Sequence, residues 1–217
     1  MRMSLGGIGL LCWAVASPGN AQTCVTLRGQ WSLGLSVGVS SYSGVTEGIG
    51  PQGESVGFAP YRPTMWGIAL TRGNERFRVG VTARYGQAGL GIRGVPPAEE
   101  GPASGLLVIA ENAYHVAAFT GGISTRLLRL RGGPALRPSL ALNLERWTAP
   151  GTPARTIAGG QAGLALEVVL TGALVGSLEG EVGFTPASPF QAADLPEGYR
   201  LRSAWRRTLA GAVSWRF

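Results

Sequence analysis

The side chains able to do chemistry in this chain are few, and their spacing does not assemble them into a catalytic set. His115 is the one histidine among 217 residues, and the positions sharing its face in an extended strand are Ala113 and Ala117. A general base needs a nucleophile within hydrogen-bond reach and a third group to orient it, and alanine supplies neither. The two cysteines, Cys12 and Cys24, build no Cys/His cluster with metal-ligand spacing. The glycine-rich stretches lack the strand-to-helix context of a phosphate loop. No catalytic residue, metal site or cofactor is assigned, and the chain is expected not to be an enzyme.

A second set of side chains carries charge in a regular pattern. Arg78, Arg84, Arg137, Glu145, Glu167, Glu179, Glu181 and Arg206 each fall between leucine, valine or aromatic residues, on the opposite face of an alternating segment. Charges on a face withdrawn from water must pair, because an unpaired buried ion costs several kcal/mol. Folding the fifth and sixth alternating segments back on each other places Arg137 opposite Glu167. The same operation on the seventh and eighth places Glu181 close to Arg206, with Glu179 one inward step away. The expected chemistry is an ion-pair network of Arg137, Glu167, Glu179, Glu181 and Arg206.

The elements that position these charges are strands. Eight alternating segments recur along the chain, and the first has Trp31, Leu33, Leu35, Val37 and Val39 on one face with Ser32, Gly34, Ser36 and Gly38 on the other. The next six run near 64–71, 76–85, 113–128, 137–145, 164–170 and 174–184. The last places Leu209, Val213, Trp215 and Phe217 at alternate positions up to the terminal phenylalanine. A strand with one apolar face that ends on an exposed aromatic calls for lipid on that face. No run of 18 apolar residues follows the amino terminus, so a helical span is not expected.

Connections alternate in length. Short turns fall near Gly73, Gly133 and Gly172, and long polar loops are expected over 43–61, 88–112, 148–157 and 185–200. That is an up-and-down meander with an even strand count and both ends on one side, as in outer-membrane barrels. Aromatic residues gather near strand ends: Trp31, Phe77, Trp215 and Phe217 at one rim, and Trp66, Tyr85, Phe184 and Trp205 at the other. Tyr42 and Trp147 also fall at rims, although their parity points to the charged face. The singly dispersed glycines fit the inward positions of a narrow barrel, where small residues leave room for the long charged ones.

Residues 1–21 have the order of a cleaved signal peptide: Arg2, an apolar stretch from Leu5 to Ala16, then Pro18, Gly19 and Ala21. Residues 22–217 form one domain with no internal linker. Cys24 lies in the expected amino-terminal tail and lacks the small-residue motif of a lipid-modified cysteine. All 19 basic residues are arginine and the formal net charge is +7. They are scattered and not interleaved with aromatics on one face, so nucleic acid is not an expected partner.

Together the signal peptide, eight strands, alternating connections and the Trp215 to Phe217 ending resemble the small eight-stranded outer-membrane barrels of the OmpA, OmpX and OmpW kind. The resemblance is architectural and spans the mature chain. It implies an all-β, eight-stranded antiparallel transmembrane barrel in the bacterial outer membrane. It also implies that Trp215 and Phe217 form the signal read by the barrel-assembly machinery. The His-x-Ser arrangement of lipid A deacylase barrels is missing at His115. A monomer is expected, in contact with outer-membrane lipid and lipopolysaccharide, with a structural or surface-interaction role and a lumen closed by arginine and glutamate. Two alternatives stand beside it, a narrow porin-like channel for small solutes and a secreted lipocalin-like binding barrel. The low charged fraction, 14%, favours lipid outside the barrel over water.

Overall fold

In the computed structural model the described residues are 29–49, 55–93, 106–129, 133–192, 195 and 197–217. The expected signal peptide and Cys24 lie outside them. The elements are β1 (Gln30–Ser43), β2 (Thr46–Ile49), β3 (Ser55–Gly73), β4 (Phe77–Arg93), β5 (Leu106–Thr125), β6 (Leu128–Arg129), β7 (Ala135–Thr148), β8 (Arg155–Val169), β9 (Leu174–Thr185), β10 (Arg200–Leu201) and β11 (Ala204–Arg216). Eight of these, β1, β3, β4, β5, β7, β8, β9 and β11, pair with their neighbours in antiparallel order. The sheet closes on itself because β1 pairs with both β3 and β11, Leu35 standing opposite Ile68 on one side and Val213 on the other.

Period-two alternation decides which face is outside. Leu33, Leu35, Val37 and Val39 of β1 are exposed, as are Leu140, Leu142 and Leu144 of β7 and Leu209, Val213 and Trp215 of β11. Leu142 exposes 76% of its surface. An apolar belt continuous around a closed sheet is far larger than the few hundred Å² that soluble monomers tolerate. That excludes the soluble lipocalin-like arrangement, whose apolar residues face a ligand inside. The barrel spans a membrane with strands, while among the described residues no helix is long and apolar enough to cross one.

Aromatic residues frame the belt. Trp66 stands opposite Tyr85, and Trp205 opposite Phe184 with ring centroids 5.0 Å apart. At the other end Trp31 and Phe217 exchange both backbone hydrogen bonds, at 3.0 and 2.9 Å, so the two ends of the described chain meet at one rim. Arg72 lies over the Trp31 ring, 5.2 Å from its centre. By the topology of such barrels this is the periplasmic rim.

Strand length is where the structure departs from the sequence reading. A tilted strand needs roughly 9–11 residues to cross the bilayer, yet β3, β4 and β5 have 19, 17 and 20. Within the segments expected as loops over 43–61 and 88–112, residues 46–49, 55–61, 88–93 and 106–112 are therefore strand, and 50–54 and 94–105 lie outside the described residues. Bulges between Tyr61 and Thr64 and between Ala88 and Leu90 redirect the extensions. Beyond them Phe58, Leu90 and Ile92 turn inward over the barrel mouth. Two residues, Arg62 and Asn112, hold positive φ angles, 40° and 53°, at this bend.

The periplasmic turns at Gly73 and Gly172 are tight, as expected, while part of the one near Gly133 lies outside the described residues. The Asn74 side-chain oxygen accepts from the backbone N–H of Arg76 and Phe77, both at 2.8 Å, which fixes the β3–β4 turn. Arg76 is an exposed turn residue.

Candidate functional site

The inward faces of the strands carry small residues and a stack of charged layers. Gly67 shows how the two fit: a Cβ there would come within 2.8 Å of Arg84 Cγ and 2.7 Å of Ser36 Oγ. Glycine on β3 therefore makes the space in which the Arg84 side chain lies. Between the layers the lumen retains a cavity of about 180 Å³, lined by groups such as Ser36, Thr82, Thr120 and Ser214.

The outermost layer is built around Glu145, whose side chain is buried. Four donors converge on its carboxylate: Tyr42 Oη at 3.2 Å, Asn143 Nδ2 at 2.9 Å, Trp147 Nε1 at 3.1 Å and the Arg206 guanidinium. Arg206 also donates to Gln161 Oε1 at 2.5 Å. Tyr42 and Trp147 are thus lumen residues and not members of the rim girdle. Their parity was the correct guide, and their positions near strand ends were not. Their rings meet edge to face at 5.5 Å and begin an apolar cap of Val45, Phe58, Met65, Val116 and Phe190.

The cap is completed by the chain between β9 and β11. Phe190 is buried, its carbonyl accepts from Arg155, and its backbone N–H donates to Ser188 Oγ at 3.1 Å. Phe58 packs against Tyr199 with ring centres 4.9 Å apart. The β2–β10 ladder joins Thr46 to Leu201, and Arg202 pairs with Glu47 above it. Among the described residues, the side chains of this cap lie over the external mouth.

Near the barrel centre, Arg84 grips Glu181 with both terminal nitrogens, at 2.6 and 2.7 Å, and stands 3.8 Å from Glu179. Ser177 Oγ donates to Glu179 at 2.9 Å. Toward the periplasm Glu167 receives Arg78 at 2.6 Å and Arg137 Nε at 3.2 Å, with Arg216 at 3.7 Å. In the turn below, the hydrogen bond and charge of Arg126 hold the Glu75 carboxyl below the usual carboxylate range.

Of the five charged residues singled out from sequence, the structure brings Arg137 and Glu167 together, although in the β7–β8 ladder Arg137 stands opposite Ala165, two residues from the expected register. Glu181 does not pair with Arg206. In the β9–β11 ladder Arg206 faces Gly183, and its carboxylate is Glu145 from across the lumen. Glu179 and Glu181 instead share Arg84. Glu145, Arg84, Arg78 and Tyr42 are therefore members that hairpin adjacency alone missed. Trp215 and Phe217 both point outward at the periplasmic rim.

His115 faces outward near the external rim. Its ring stacks with Tyr85 at 6.1 Å, and Nδ1 lies 3.1 Å from the Tyr85 hydroxyl. Among the described residues no group of histidine, cysteine, aspartate or glutamate has a metal-binding arrangement.

No family model matches the chain, and no curated protein matches it in sequence. Solved structures do match it in shape. Neisserial surface protein A superposes with a TM-score of 0.54 at 10% identity, over 86% of this chain and 97% of the other. OprG from Pseudomonas aeruginosa gives 0.49 at 8% identity, over 87% and 96%. Ail, the attachment invasion locus protein of Yersinia pestis, gives 0.47 at 12%, over 87% and 99%. With its closed sheet and lipid-facing belt, the chain has the fold of the small eight-stranded outer-membrane β-barrels.

Proposed function

We propose that this protein is a non-conducting barrel of the bacterial outer membrane, with a structural or surface-interaction role carried by its external end. The observation that carries the reading is the sealed outer layer, in which Glu145 is surrounded by four donors beneath the apolar cap of Tyr42, Trp147 and Phe190. An eight-stranded interior is just wide enough for side chains to fill, and here three charged layers cross it. An ion moving through would have to displace paired charges and then an apolar seal. The extended β3, β4 and β5 supply a rigid base for the external connections, where contacts with lipopolysaccharide or another surface would be made.

Planar-bilayer recording of the purified protein tests this reading. Wild type is expected to give no resolved current steps, and a steady open channel of defined conductance would overturn the closed-lumen assignment.

Assembly adds a second expectation. Trp215 and Phe217 present aromatic rings outward on the strand that closes the barrel, where the assembly machinery would read them. Deleting Phe217 also removes both backbone hydrogen bonds to Trp31. Outer-membrane insertion of the truncated chain should fall several-fold, with degraded protein in the periplasm. Normal membrane levels, judged by heat-modifiable migration, would show that the ending is not a signal.

A further inference from the structure

The periplasmic mouth of the lumen holds more positive charge than its own carboxylates neutralise. Five arginines, Arg78, Arg126, Arg129, Arg137 and Arg216, line one small cavity with two side-chain carboxylates, Glu75 and Glu167, leaving a surplus of three positive charges. The segments leading into this end, residues 1–28 and 130–132, contain no aspartate or glutamate and add Arg28 and Arg131.

Arg137 is the most exacting member, with 4% of its surface exposed. Its Nη2 donates to the Glu75 carbonyl at 2.8 Å, and its Nε lies 3.2 Å from Glu167 without a hydrogen-bonding angle. Among the described residues its Nη1 has no hydrogen-bond partner. A guanidinium N–H left buried and unpaired is destabilising, the more so because the group is charged. Glu167 is already shared among Arg78, Arg137 and Arg216, so one carboxylate charge faces three guanidinium groups. The space beside these groups is about 30 Å³, and a wider recess of about 350 Å³, sharing Glu75, Arg78 and Arg216, opens at the rim by Trp31 and Asn74.

We propose that this mouth binds an oxyanion of the phosphate class, entering from the periplasm and held by Arg137, Arg78, Arg216 and Arg129. Guanidinium forks match phosphate oxygens in bidentate geometry, and three surplus charges suit a group of charge near −2 with its remaining demand met by water. The site holds its ligand and does not pass it on. Deeper in the lumen Glu179 and Glu181 share the single Arg84, so the next layer repels an anion. The same chemistry serves free phosphate and the phosphate of an inner-leaflet lipid headgroup.

The test uses the full mature protein folded in maltoside micelles, which contain no phosphate. Inorganic phosphate is titrated at constant ionic strength and followed by ³¹P line broadening, in parallel with glycerophosphoglycerol, the soluble headgroup of a phospholipid. Wild type should bind at least one of the two saturably. Tighter binding of inorganic phosphate assigns the site to the free ion, tighter binding of glycerophosphoglycerol to the lipid, and equal binding to the shared group. Arg137→Gln should weaken binding at least tenfold. Arg129→Gln, at a half-exposed side chain whose loss does not threaten the fold, should weaken it several-fold and serves if Arg137→Gln fails to fold. Absence of saturable binding of either probe by wild type would overturn the proposal, as would unchanged binding in a correctly folded Arg129→Gln variant.

Discussion

The Glu145→Ala variant is expected to lose about 3–5 kcal/mol of folding stability, the range for removing one partner from a buried ion pair. Arg206 would remain in place with 5% of its surface exposed, with Gln161 as a neutral side-chain acceptor and no carboxylate partner. Tyr42, Asn143 and Trp147 would each lose the acceptor for their donated hydrogen bond. Urea unfolding in detergent or lipid, followed by tryptophan fluorescence, measures the loss. The double variant Glu145→Ala/Arg206→Met removes the stranded charge and should recover part of it. If the single variant unfolds at the wild-type midpoint, or the double variant is less stable by the full sum of both singles, the layer is not an interdependent network.

The same substitution joins stability to permeability. Glu145 is the group on which Tyr42, Trp147 and Arg206 converge, so under the proposed closed lumen its removal loosens the outermost charged layer. Conductance that appears in Glu145→Ala but not in wild type would locate the barrier in this layer. Loss of stability with continued silence would place the barrier lower, at Arg84 with Glu181 or at Glu167. The two outcomes separate the Glu145 layer from the two below it, because among the described residues it shares no ion pair with them.

What could be read from the residues follows from geometry. A strand repeats every two residues, so the sequence states directly which side chains face the lumen, and the inward set of Arg78, Arg84, Arg137, Glu145, Glu167, Glu179, Glu181 and Arg206 needs no further information. Partners across the lumen obey no such rule. Arg84 and Glu181 are 97 residues apart on β4 and β9, and Tyr42 and Glu145 are 103 apart on β1 and β7. Only the closure of the sheet brings them together. Pairing by hairpin adjacency found Arg137 with Glu167 because they lie on neighbouring strands, and assigned Arg206 to Glu181 for the same reason.

Tyr42 and Trp147 show a different limit. Aromatic residues near strand ends fit an interfacial girdle so well that their inward parity looked like an irregularity. The extended β3, β4 and β5 make the external mouth a covered interior, and there an aromatic ring with a polar tip has both an apolar neighbourhood and a carboxylate to bind. The readable signal was the pair Glu145 and Trp147, two residues apart on one face of β7. The bulges that turn the extensions inward leave no comparable mark in the sequence.

The outer face provides the sharpest contrast with the lumen. Leu142 is the middle of the outward series Leu140, Leu142 and Leu144 on β7, and β7 pairs on both sides with strands that also present apolar residues outward. Placing arginine there puts a guanidinium near the bilayer midplane, where the cost in barrels of this kind is about 2–4 kcal/mol. Its neighbour Ala141 faces the polar cavity, so Ala141→Ser should change stability little. Leu142→Arg is therefore expected to lower the unfolding midpoint in lipid vesicles and to reduce the inserted fraction, while Ala141→Ser leaves both near wild type. Because the two positions are adjacent on one strand and present opposite faces, a large loss at Leu142 with little change at Ala141 is the pattern a lipid-facing belt requires. Equal behaviour of the two variants, with Leu142→Arg fully inserted and fully stable, would mean that the exposed belt is not the membrane-facing surface.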